Sequence, residues 1–589
     1  MKIKILRKSL QINSFDLISA LITALCVNYS IANTSIAQSQ TSLIVSQSPT
    51  PINPQIVTPS PSPALPQNPQ QLPSPNELLK PSIPPSSNPN ENNNVTGTII
   101  VKRFNVIGST VFSTEELAKV LEPFTERPIS FAELLQARSA ISDLYISKGY
   151  ITSGAFIPPQ NLNGGVVKVQ VIEGSLQEIK VSGNTKLNPE YIRSRLNIAT
   201  SKPLNRDRLI EALQVLQINP LISNLSAELA AGDRPGKNIL DVKFTEAKTS
   251  NLQLSLDNNR APSVGSFRRR VQFSENNLTG LGDSLTVGYS NTDGSNAYDL
   301  NYSIPVNPYN GSLSLFFSNS NSNVIEQPFN VLDIYSNSTA YDLTYRQPIL
   351  QTTSQEFTLG LTASYRESLA SILKTPFPLS AGADNNGVTR LTAFRFFQEY
   401  TQRSSQSVFA LRSQFNVGIA ALGATLNDQS PDSRFVSWRG QAQYVNLLAH
   451  DTLLLLRGDL QLADRSLLPL EQIGLGGQDS LRGYRQDFLF GDNGTNLSVE
   501  LRVPVLRVPE IESLFQLTPF IDAGLVWASS GQANPTQNSL VGSGLGLRWT
   551  MGNRLIGSLD YGFPLVSVPN SRKTLQENGI YFSLIYNFF

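Results

Sequence analysis

The sequence contains one cysteine, Cys26, and one histidine, His450, among its 589 residues. Cys26 lies in an N-terminal segment that we expect to be removed, so the sequence excludes a disulfide framework and a cysteine-ligated metal site. A hydrolase of the Ser-His-acid type needs a histidine, and His450 falls in a predicted turn between two strands. We therefore predict that the protein is not an enzyme and that it holds no metal or cofactor.

Charge and long apolar runs are also scarce. Charged residues make up 15% of the chain, whereas about 25% is usual in soluble proteins. The net charge of +1 gives no electrostatic reason to expect a nucleic-acid partner. Beyond the N-terminal segment, no run approaches the roughly 18 apolar residues of a membrane helix. An exported chain of this kind is either soluble or a β-barrel.

Residues 1–37 have the three-part pattern of a secretory signal peptide. Basic residues at the extreme N-terminus precede an apolar stretch, Leu17 to Val27, and small residues end at Ala37. Cleavage after Ala37 is the favoured interpretation. A lipoprotein site at Cys26 is the alternative, but Leu25 stands where a small residue is expected.

Residues 38–98 are rich in proline, serine and asparagine, with 14 prolines between Pro49 and Pro89. Such a composition cannot build a packed core and predicts an extended, disordered linker. A plain spacer is the favoured interpretation, and a docking motif is the alternative. Within the linker, Asn76 to Lys80 is the one stretch that looks helical.

Residues 99–174 and 175–248 share one order of elements and predict a tandem β-α-α-β-β repeat. Ser113 and Glu116 have the capping-box spacing that begins a helix, and Ser130 begins the next helix in the same way. The predicted strands are Ile99–Ile107, Ile151–Ile157 and Val166–Ile172 in the first unit and Leu176–Val181, Ser223–Leu229 and Asn238–Thr245 in the second.

In residues 249–589 the helical spacing disappears and short alternating strands follow one another. We predict about sixteen antiparallel strands, because an even number suits a closed membrane barrel and an open edge in a bilayer would leave backbone groups unpaired. The predicted strands begin near Ser250, Phe267, Asp283, Ala297, Gly311, Thr339, Glu356, Thr389, Ser407, Arg434, Asp451, Thr495, Phe515, Val541, Arg554 and Gly579.

Alternation in the predicted strands separates an apolar face from a polar one. Between Phe515 and Trp527, Ile521 belongs to the apolar face and Asp522 to the other. A soluble sandwich also alternates, with its apolar faces inward. The secretory signal and the absence of sandwich-like domain breaks favour apolar faces that meet lipid, so Asp522 is predicted to point into a wet lumen.

The longest gap between strand patterns runs from residue 463 to residue 494, and connections of this length are usually functional or mobile. It contains Arg482. We interpret this segment as folding back into the barrel, where an arginine can find the carboxylate of Asp522, because arginine–carboxylate pairs are bidentate and geometrically specific. On spacing alone, an ordinary exposed loop charge is the favoured interpretation of Arg482.

Two motifs and the tandem repeat resemble the two-partner secretion transporters of the TpsB type, the haemolysin secretion/activation proteins. The loop motif is similar to their Val-Arg-Gly-Tyr loop, with leucine in place of valine, and the strand motif to their Phe-x-Asp-x-Gly strand. The repeat looks like their two POTRA domains. The motif residues are Leu481, Arg482, Gly483 and Tyr484 in the loop and Phe520, Asp522 and Gly524 in the strand.

The resemblance implies a sixteen-stranded outer-membrane barrel in contact with lipid, two POTRA domains in the periplasm, and a contact between Arg482 and Asp522 inside the pore. It also implies that a monomer exports a large, secreted, β-helical partner of the TpsA type in unfolded form, without nucleotide hydrolysis. The alternative is a barrel-assembly factor of the same superfamily, although assembly factors usually carry more than two POTRA domains.

An unfolded partner can add as a strand to the exposed edge of a POTRA sheet, because backbone hydrogen bonds need no particular side chains. In the family fold this edge is the first strand after the helices. Family members often have a helix that plugs the barrel, which is doubtful here because the linker offers so little helical sequence. The residues expected to take part in docking are Ile151, Phe156, Ile157, Leu225 and Leu229.

Overall fold

The computed structural model describes residues 78–81, 98–161, 164–183, 186–529, 533–568 and 573–589, all within the unit Asn53–Phe589. The predicted signal peptide and most of the predicted linker lie outside these residues. Where the chain is described, no helix is both long and apolar enough to cross a membrane. A short linker strand, β1 (Leu79–Pro81), precedes two small α/β units and a barrel.

The first α/β unit contains two helices and five short strands. Its elements are β2 (Thr98–Ile100), β3 (Arg103–Ile107), α1 (Thr114–Leu121), β4 (Pro128–Ser130), α2 (Phe131–Ser147), β5 (Gly154–Phe156) and β6 (Val166–Ile172). Strand β6 lies between β3, which is parallel to it, and β5, which is antiparallel. Both predicted capping boxes are confirmed, because Ser113 and Ser130 each exchange hydrogen bonds with the glutamate three residues later.

Two predicted strands of the first unit differ from the structure. The run Ile99–Ile107 is broken at Val101, which is buried where the chain crosses from the β2–β4 pair to the sheet of β3, β6 and β5. The run Ile151–Ile157 shortens to β5, because the N–H of Ser153 bonds to the carbonyl of Tyr150 and closes a turn. Buried turns and crossings of this kind do not disturb the apolar pattern that the sequence shows.

The second α/β unit shares the β-α-α-β-β order of the first and, in its described residues, lacks counterparts of β2 and β4. Its elements are β7 (Ser175–Gly183), α3 (Pro189–Ala199), α4 (Arg206–Gln217), β8 (Ile222–Ala231) and β9 (Lys237–Glu246). Asn188 and Asn205 cap the two helices by accepting hydrogen bonds from backbone N–H groups in the first turn. Leucines from both helices, including Leu196 and Leu213, fill the core between the helices and the sheet.

The linker strand β1 covers the edge of the second unit, where the sheet order is β1-β8-β9-β7. It runs parallel to β8, with Leu79 opposite Ala227. The prediction that Ser223–Leu229 forms an exposed edge is therefore wrong. Leu78 and Leu79 are only 2% and 7% exposed, so apolar burial accompanies the pairing. The helical interpretation of Asn76–Lys80 is also wrong over its last two residues, which are extended.

The remaining strands form a closed barrel and the connections between its wall strands. They are β10 (Ser250–Asp257), β11 (Arg268–Asn276), β12 (Ser284–Asn291), β13 (Ser295–Pro305), β14 (Ser312–Asn323), β15 (Tyr335–Gln351), β16 (Gln355–Ile372), β17 (Thr375–Pro376), β18 (Val388–Arg403), β19 (Ser407–Ile419), β20 (Val436–Ala449), β21 (Thr452–Ala463), β22 (Ile473–Leu475), β23 (Leu489–Gly491), β24 (Asn493–Val508), β25 (Ser513–Trp527), β26 (Ser539–Met551), β27 (Leu555–Pro564) and β28 (Ile580–Asn587).

Sixteen of these strands form the wall, because β17, β22 and β23 lie in connections. The last strand, β28, returns to pair with β10 and closes the barrel. The predicted number of strands is confirmed, and every predicted start lies in a wall strand or within two residues of one.

The faces of the wall strands confirm the predicted direction of the alternation. On the outside, Ile521 and Leu547 are 49% and 42% exposed, whereas their lumen-facing neighbours Thr518 and Asp522 are 3% and 1% exposed. An apolar exterior around a polar interior is the arrangement of a membrane barrel. The polar interior is therefore the space in which charged side chains of the wall can meet a loop.

One end of the barrel rests on the second α/β unit. Lys186 forms an ion pair with Glu275 at 2.5 Å, and Nε of Arg195 donates to Asn310 at 2.7 Å. Burial lowers the pKa of Arg195, whose guanidinium also stacks on the ring of Tyr191. A cavity of about 1420 Å³ opens between this unit and the barrel turns, so the unit stands at the mouth of the lumen.

Candidate functional site: the inward loop

The inward loop, residues 463–494, joins β21 to β24 at the barrel end opposite the second α/β unit and folds back into the lumen. Strands β22 and β23 form a hairpin within it, with Ile473 opposite Gly491. Loop residues pack against Val526 and Leu540 of the wall. The buried loop residues of this cluster are Ile473, Leu475, Leu481, Tyr484 and Leu489.

Arg482, at the tip of the hairpin, contacts Asp522 of β25. Its Nε donates to Oδ2 at 2.8 Å and its Nη2 to Oδ1 at 3.0 Å. The backbone N–H of Arg482 donates to Oδ2 as well, at 3.1 Å. Both side chains are buried. The structure thus brings the two residues together in a bidentate pair inside the lumen, the geometry in which charge-assisted hydrogen bonds are strongest.

Two further carboxylates surround the guanidinium. Nη1 of Arg482 donates to Glu500 of β24 at 2.7 Å, and Asp560 of β27 lies 4.0 Å away. Arg502 donates to the other oxygen of Glu500 at 2.9 Å, so the cluster contains arginines as well as acids. The alternation in β24 places Glu500 on the lumen face, but no pattern in the sequence marks Glu500 or Asp560 as a partner of Arg482.

Phe520 of the strand motif and Tyr484 of the loop motif also help to hold the loop tip. The guanidinium carbon of Arg482 lies 3.4 Å from the centre of the Phe520 ring, a cation–π contact. The Tyr484 hydroxyl donates to the carbonyl of Val541 at 2.7 Å and accepts from the N–H of Val566 at 3.1 Å. The Tyr581 hydroxyl donates to the carbonyl of Tyr484. Backbone and side chain of the loop tip are therefore both held by the wall.

Glycines of the wall make room for the loop backbone. A Cβ atom at Gly542 would collide with the carbonyl oxygen of Arg482, and one at Gly562 would lie 2.6 Å from the nitrogen of Gly483. At Gly524, the glycine of the strand motif, it would lie 2.8 Å from a methyl carbon of Leu475. Gly483 itself has a φ of +102°, a conformation that other residues rarely adopt. These glycines let the loop lie directly on the sheet.

In the first α/β unit, Glu173 and Gln160 both accept hydrogen bonds from backbone N–H groups. Glu173 accepts hydrogen bonds from the hydroxyl and N–H of Thr110 and from the hydroxyl of Tyr145. The amide of Gln160 both accepts from and donates to the backbone of Lys168, at 2.8 and 2.7 Å. Gln160 thus continues the pairing of β6 beyond the end of β5.

The predicted docking residues fall into two groups. Phe156 lies on β5, at the end of the sheet order in the described part of the first unit, and is 40% exposed. Leu225 and Leu229 lie on β8, which β1 covers, and their side chains are buried in the core of the second unit. Ile151 and Ile157 lie outside β5 and pack partly against the cores of the two units.

A closed barrel with an apolar exterior, a charged lumen crossed by a loop, and a tandem of α/β units whose second member stands at the mouth define a membrane transporter of the kind that carries POTRA domains. Residues 236–549, more than half of the chain, match the family described as haemolysin secretion/activation protein ShlB/FhaC/HecB. Residues 99–174 match the POTRA domain of ShlB type. The chain belongs to the ShlB/FhaC/HecB family of haemolysin secretion/activation proteins.

Named relatives agree with this assignment. Outer membrane transporter CdiB of Escherichia coli O6:K15:H31 (strain 536 / UPEC) is 25% identical over 476 residues, 79% of each chain. Hemolysin transporter protein ShlB of Serratia marcescens is 24% identical over 405 residues, 66% of this chain and 69% of that protein. The structure of CdiB from Escherichia coli has a TM-score of 0.64 at 22% identity and covers 86% of this chain and 94% of its own, a likeness of fold. The protein is accordingly a secretion transporter of the outer membrane.

Proposed function

We propose that the protein exports a large, secreted, β-helical partner of the TpsA type through its barrel, in unfolded form and without nucleotide hydrolysis. In this proposal residues 1–37 are removed as a signal peptide, and residues 38–98 form a linker ahead of the folded domains. Residues 99–174 and 175–248 receive the partner in the periplasm. Residues 249–589 form the conduit, with the inward loop as its gate. The observation that carries the proposal is the buried contact of Arg482 with Asp522 in a polar lumen.

The lumen suits an extended polypeptide once the loop leaves it. Sixteen strands enclose an aqueous channel rather than a packed core. The cavity of about 1420 Å³ at the mouth is lined by residues of both signs, among them Arg208, Glu211, Arg346 and Glu399. A lining with charges of both signs favours the passage of many sequences, because it binds none of them tightly. A chain that folds on the far side cannot slide back, which makes passage directional.

The first docking edge is β5 of the first α/β unit. It is the last strand of its sheet in the described residues, and Phe156 beside it is exposed. A partner strand added there gains backbone hydrogen bonds whatever its sequence. Gln160 limits the length of this edge, because its amide already pairs with Lys168 of β6.

The second docking edge, β8, becomes available when β1 leaves it. Burying Leu78 and Leu79 contributes roughly 1.5–3 kcal/mol each, and ordering the backbone of each residue from 78 to 81 costs roughly 1–2 kcal/mol. The two sums nearly cancel, so another extended segment can replace β1 at little cost. The linker strand then acts as a placeholder that keeps β8 from pairing with the wrong chain.

Reconstitution in liposomes tests export directly. Purified protein is inserted, an unfolded fragment of the secreted partner is added on the POTRA side, and its arrival inside is followed by protection from added protease. We expect protection without any nucleotide. A requirement for nucleotide, or capture of nascent barrel proteins in place of the secreted partner, would contradict the proposal and favour the barrel-assembly alternative.

Replacing Leu78 and Leu79 by aspartate tests the placeholder role of β1. The double variant should free β8 and raise the affinity for the partner fragment severalfold, measured in full-length protein in detergent. Substitution of the exposed Ile100 by aspartate serves as the control, because Ile100 lies outside the β1–β8 pairing. Unchanged or weaker binding by the double variant would remove the placeholder role and leave β5 as the docking edge.

A further inference from the structure

The inward loop touches the wall at a second place, ahead of the hairpin. Glu471 accepts a hydrogen bond from each terminal nitrogen of Arg395, Nη1 to Oε2 at 2.8 Å and Nη2 to Oε1 at 2.7 Å. Nη1 of Arg366 lies 3.5 Å from Oε1 of the same carboxylate. The three side chains are between 6% and 10% exposed, so this is a second bidentate ion pair sealed inside the lumen.

The second contact lies on a different sector of the wall. Arg366 belongs to β16 and Arg395 to β18, which are neighbours, whereas Asp522 belongs to β25. Strands β19, β20, β21 and β24 separate β18 from β25 in the barrel order. The first arm of the loop, residues 464–472, and the loop tip at Arg482 are therefore held to the wall independently. Part of the lumen lies between the two attachments.

Packing around Glu471 fixes the arm that carries it. Leu467 and Leu468 are buried against Leu391 and Phe435, and Gln461 of β21 donates to the backbone carbonyl of Glu471 at 2.9 Å. The arm thus meets the wall through apolar contacts ahead of Glu471 and a polar contact at its backbone.

The buried arginines of the wall need the carboxylate that the arm carries. Arg366 and Arg395 are both buried, and within the described residues the Nε atoms of both lack a hydrogen-bond partner. Without Glu471 two cations would remain in the wall with their main counter-charge gone, which is strongly unfavourable for buried ions. The wall therefore favours the loop in its inward position, in the same way as Asp522 and Glu500 favour Arg482.

We propose that Glu471, held by Arg395 and Arg366, is a second anchor of the inward loop, and that the lumen opens to a polypeptide when both anchors part. Glu471 is a positioning residue, since it acts by holding the loop across the conduit. This inference rests on the proposed export function. It predicts that either anchor alone leaves the loop partly restrained, so that removal of both has the largest effect.

Channel recordings in planar bilayers test the two anchors separately and together. Glu471→Gln keeps the shape of the side chain and removes its charge, and Asp522→Asn does the same at the first anchor. Asp459→Asn is the matched control, because Asp459 forms an equally bidentate lumen pair with Arg439, at 3.0 and 2.6 Å, between wall strands. Heat-dependent mobility in gels shows that each barrel is folded.

We expect Glu471→Gln to raise the fraction of time in large-conductance states about tenfold or more, since breaking a buried charge pair on one side is strongly destabilising. The double variant should multiply the two single effects. If Glu471→Gln behaves like Asp459→Asn while Asp522→Asn opens the channel, Glu471 is not an anchor, and the loop is gated by the Arg482–Asp522 contact alone. If neither variant opens the channel, the proposed gate itself falls.

A reversible cross-link tests the same anchor without relying on charge removal. The one natural cysteine, Cys26, lies in the segment predicted to be removed, so Glu471→Cys with Arg395→Cys offers a unique pair for a short thiosulfonate cross-linker. Linked protein should lose large openings and export, and a reductant should restore both. Export that continues at an unchanged rate through fully cross-linked protein would overturn the second anchor.

Discussion

The guanidinium of Arg482 and the carboxylate of Asp522 meet in two parallel hydrogen bonds although 40 residues separate them in the sequence. The pair is stacked on Phe520 and backed by Glu500. A loop tip held by buried ions is stable while the lumen is closed, because charges attract strongly where water is excluded. Entering water solvates the same charges and weakens the attraction, so the contact is suited to separate.

Replacing Arg482 by alanine should impair export while the barrel stays in the membrane, because a loop tip without its anchor no longer closes and opens the lumen in step with the partner. The change leaves Asp522 and Glu500 without their cation, at a local cost of about 3–5 kcal/mol, and does not touch the strand ladder. Secreted partner in the medium measures export, and heat-dependent mobility measures the barrel. Arg439→Ala, which removes a wall-to-wall lumen arginine, is the control. Normal secretion by Arg482→Ala would contradict the role of the loop tip.

Exchanging the two charges should restore little export unless Glu500 is also changed. In Arg482→Asp with Asp522→Arg, the new aspartate at position 482 faces Glu500, which lies 2.7 Å from Arg482 in the native chain. Adding Glu500→Gln removes that repulsion, so the triple variant should secrete several times more than the double variant. Equal secretion by the two variants, followed in the same assay, would show that Glu500 does not act on the loop tip.

Valine at position 542 should displace the loop without any change of charge. A Cβ atom there collides with the carbonyl oxygen of Arg482, and valine adds two more carbons. We expect larger and more frequent channel openings in planar bilayers. Gly557→Ala is the control, because its added carbon would meet side-chain atoms at 3.6 Å or more. Recordings that match the wild type would mean that the loop does not rest on β26.

Glu173 should stabilise the first α/β unit in a pH-dependent manner. Burial raises the pKa of this carboxyl. Hydrogen bonds from Thr110, Tyr145 and Val111 lower the pKa by more than burial raises it, so the pKa in the folded chain lies below the ordinary 4.5. A depressed pKa contributes stability that is complete above the unfolded pKa and is lost as the pH falls through the folded one.

Glu173→Gln should therefore destabilise this unit by about 1–3 kcal/mol at neutral pH, with a smaller difference in acid. Hydrogen exchange of the Thr110 and Val111 amides in full-length protein measures the opening energy. Glu178→Gln, at an exposed position of β7, is the control. A difference that stays constant or grows as the pH falls to 3 would contradict the assignment.

Strand periodicity carried most of what the sequence could predict about the barrel. Ile521 and Asp522 alternate with their neighbours strictly enough to show which side chains share a face, whereas the alternation is interrupted at the bulges of β15, β20 and β24. A charge in a long gap and an acid on the polar face made a contact of Arg482 with Asp522 feasible, and the resemblance to the TpsB motifs favoured it. Glu500 had the same signal, but several lumen acids did, and a pattern along one strand does not rank them.

Two contacts between distant segments, those of β1 with β8 and of Glu471 with Arg395, were beyond the sequence. Leu79 pairs with β8 across more than a hundred residues, and a strand of three residues leaves no periodicity to read. Glu471 ends a three-residue turn that begins at Pro469, just ahead of the hairpin, and so short a turn has neither helical nor strand spacing. Its partners Arg366 and Arg395 are two of many lumen-facing arginines, so the choice among them depends on how the loop is folded.

Photo-cross-linking of a partner arrested in transit shows whether the polypeptide passes through the lumen of the barrel. A photoreactive residue is placed at Thr518, which faces the lumen, and in a second variant at Leu517, the adjacent residue on the lipid face. We expect position 518 to capture the secreted partner and position 517 not to capture it. Capture at neither position, or equally at both, would contradict passage through the lumen.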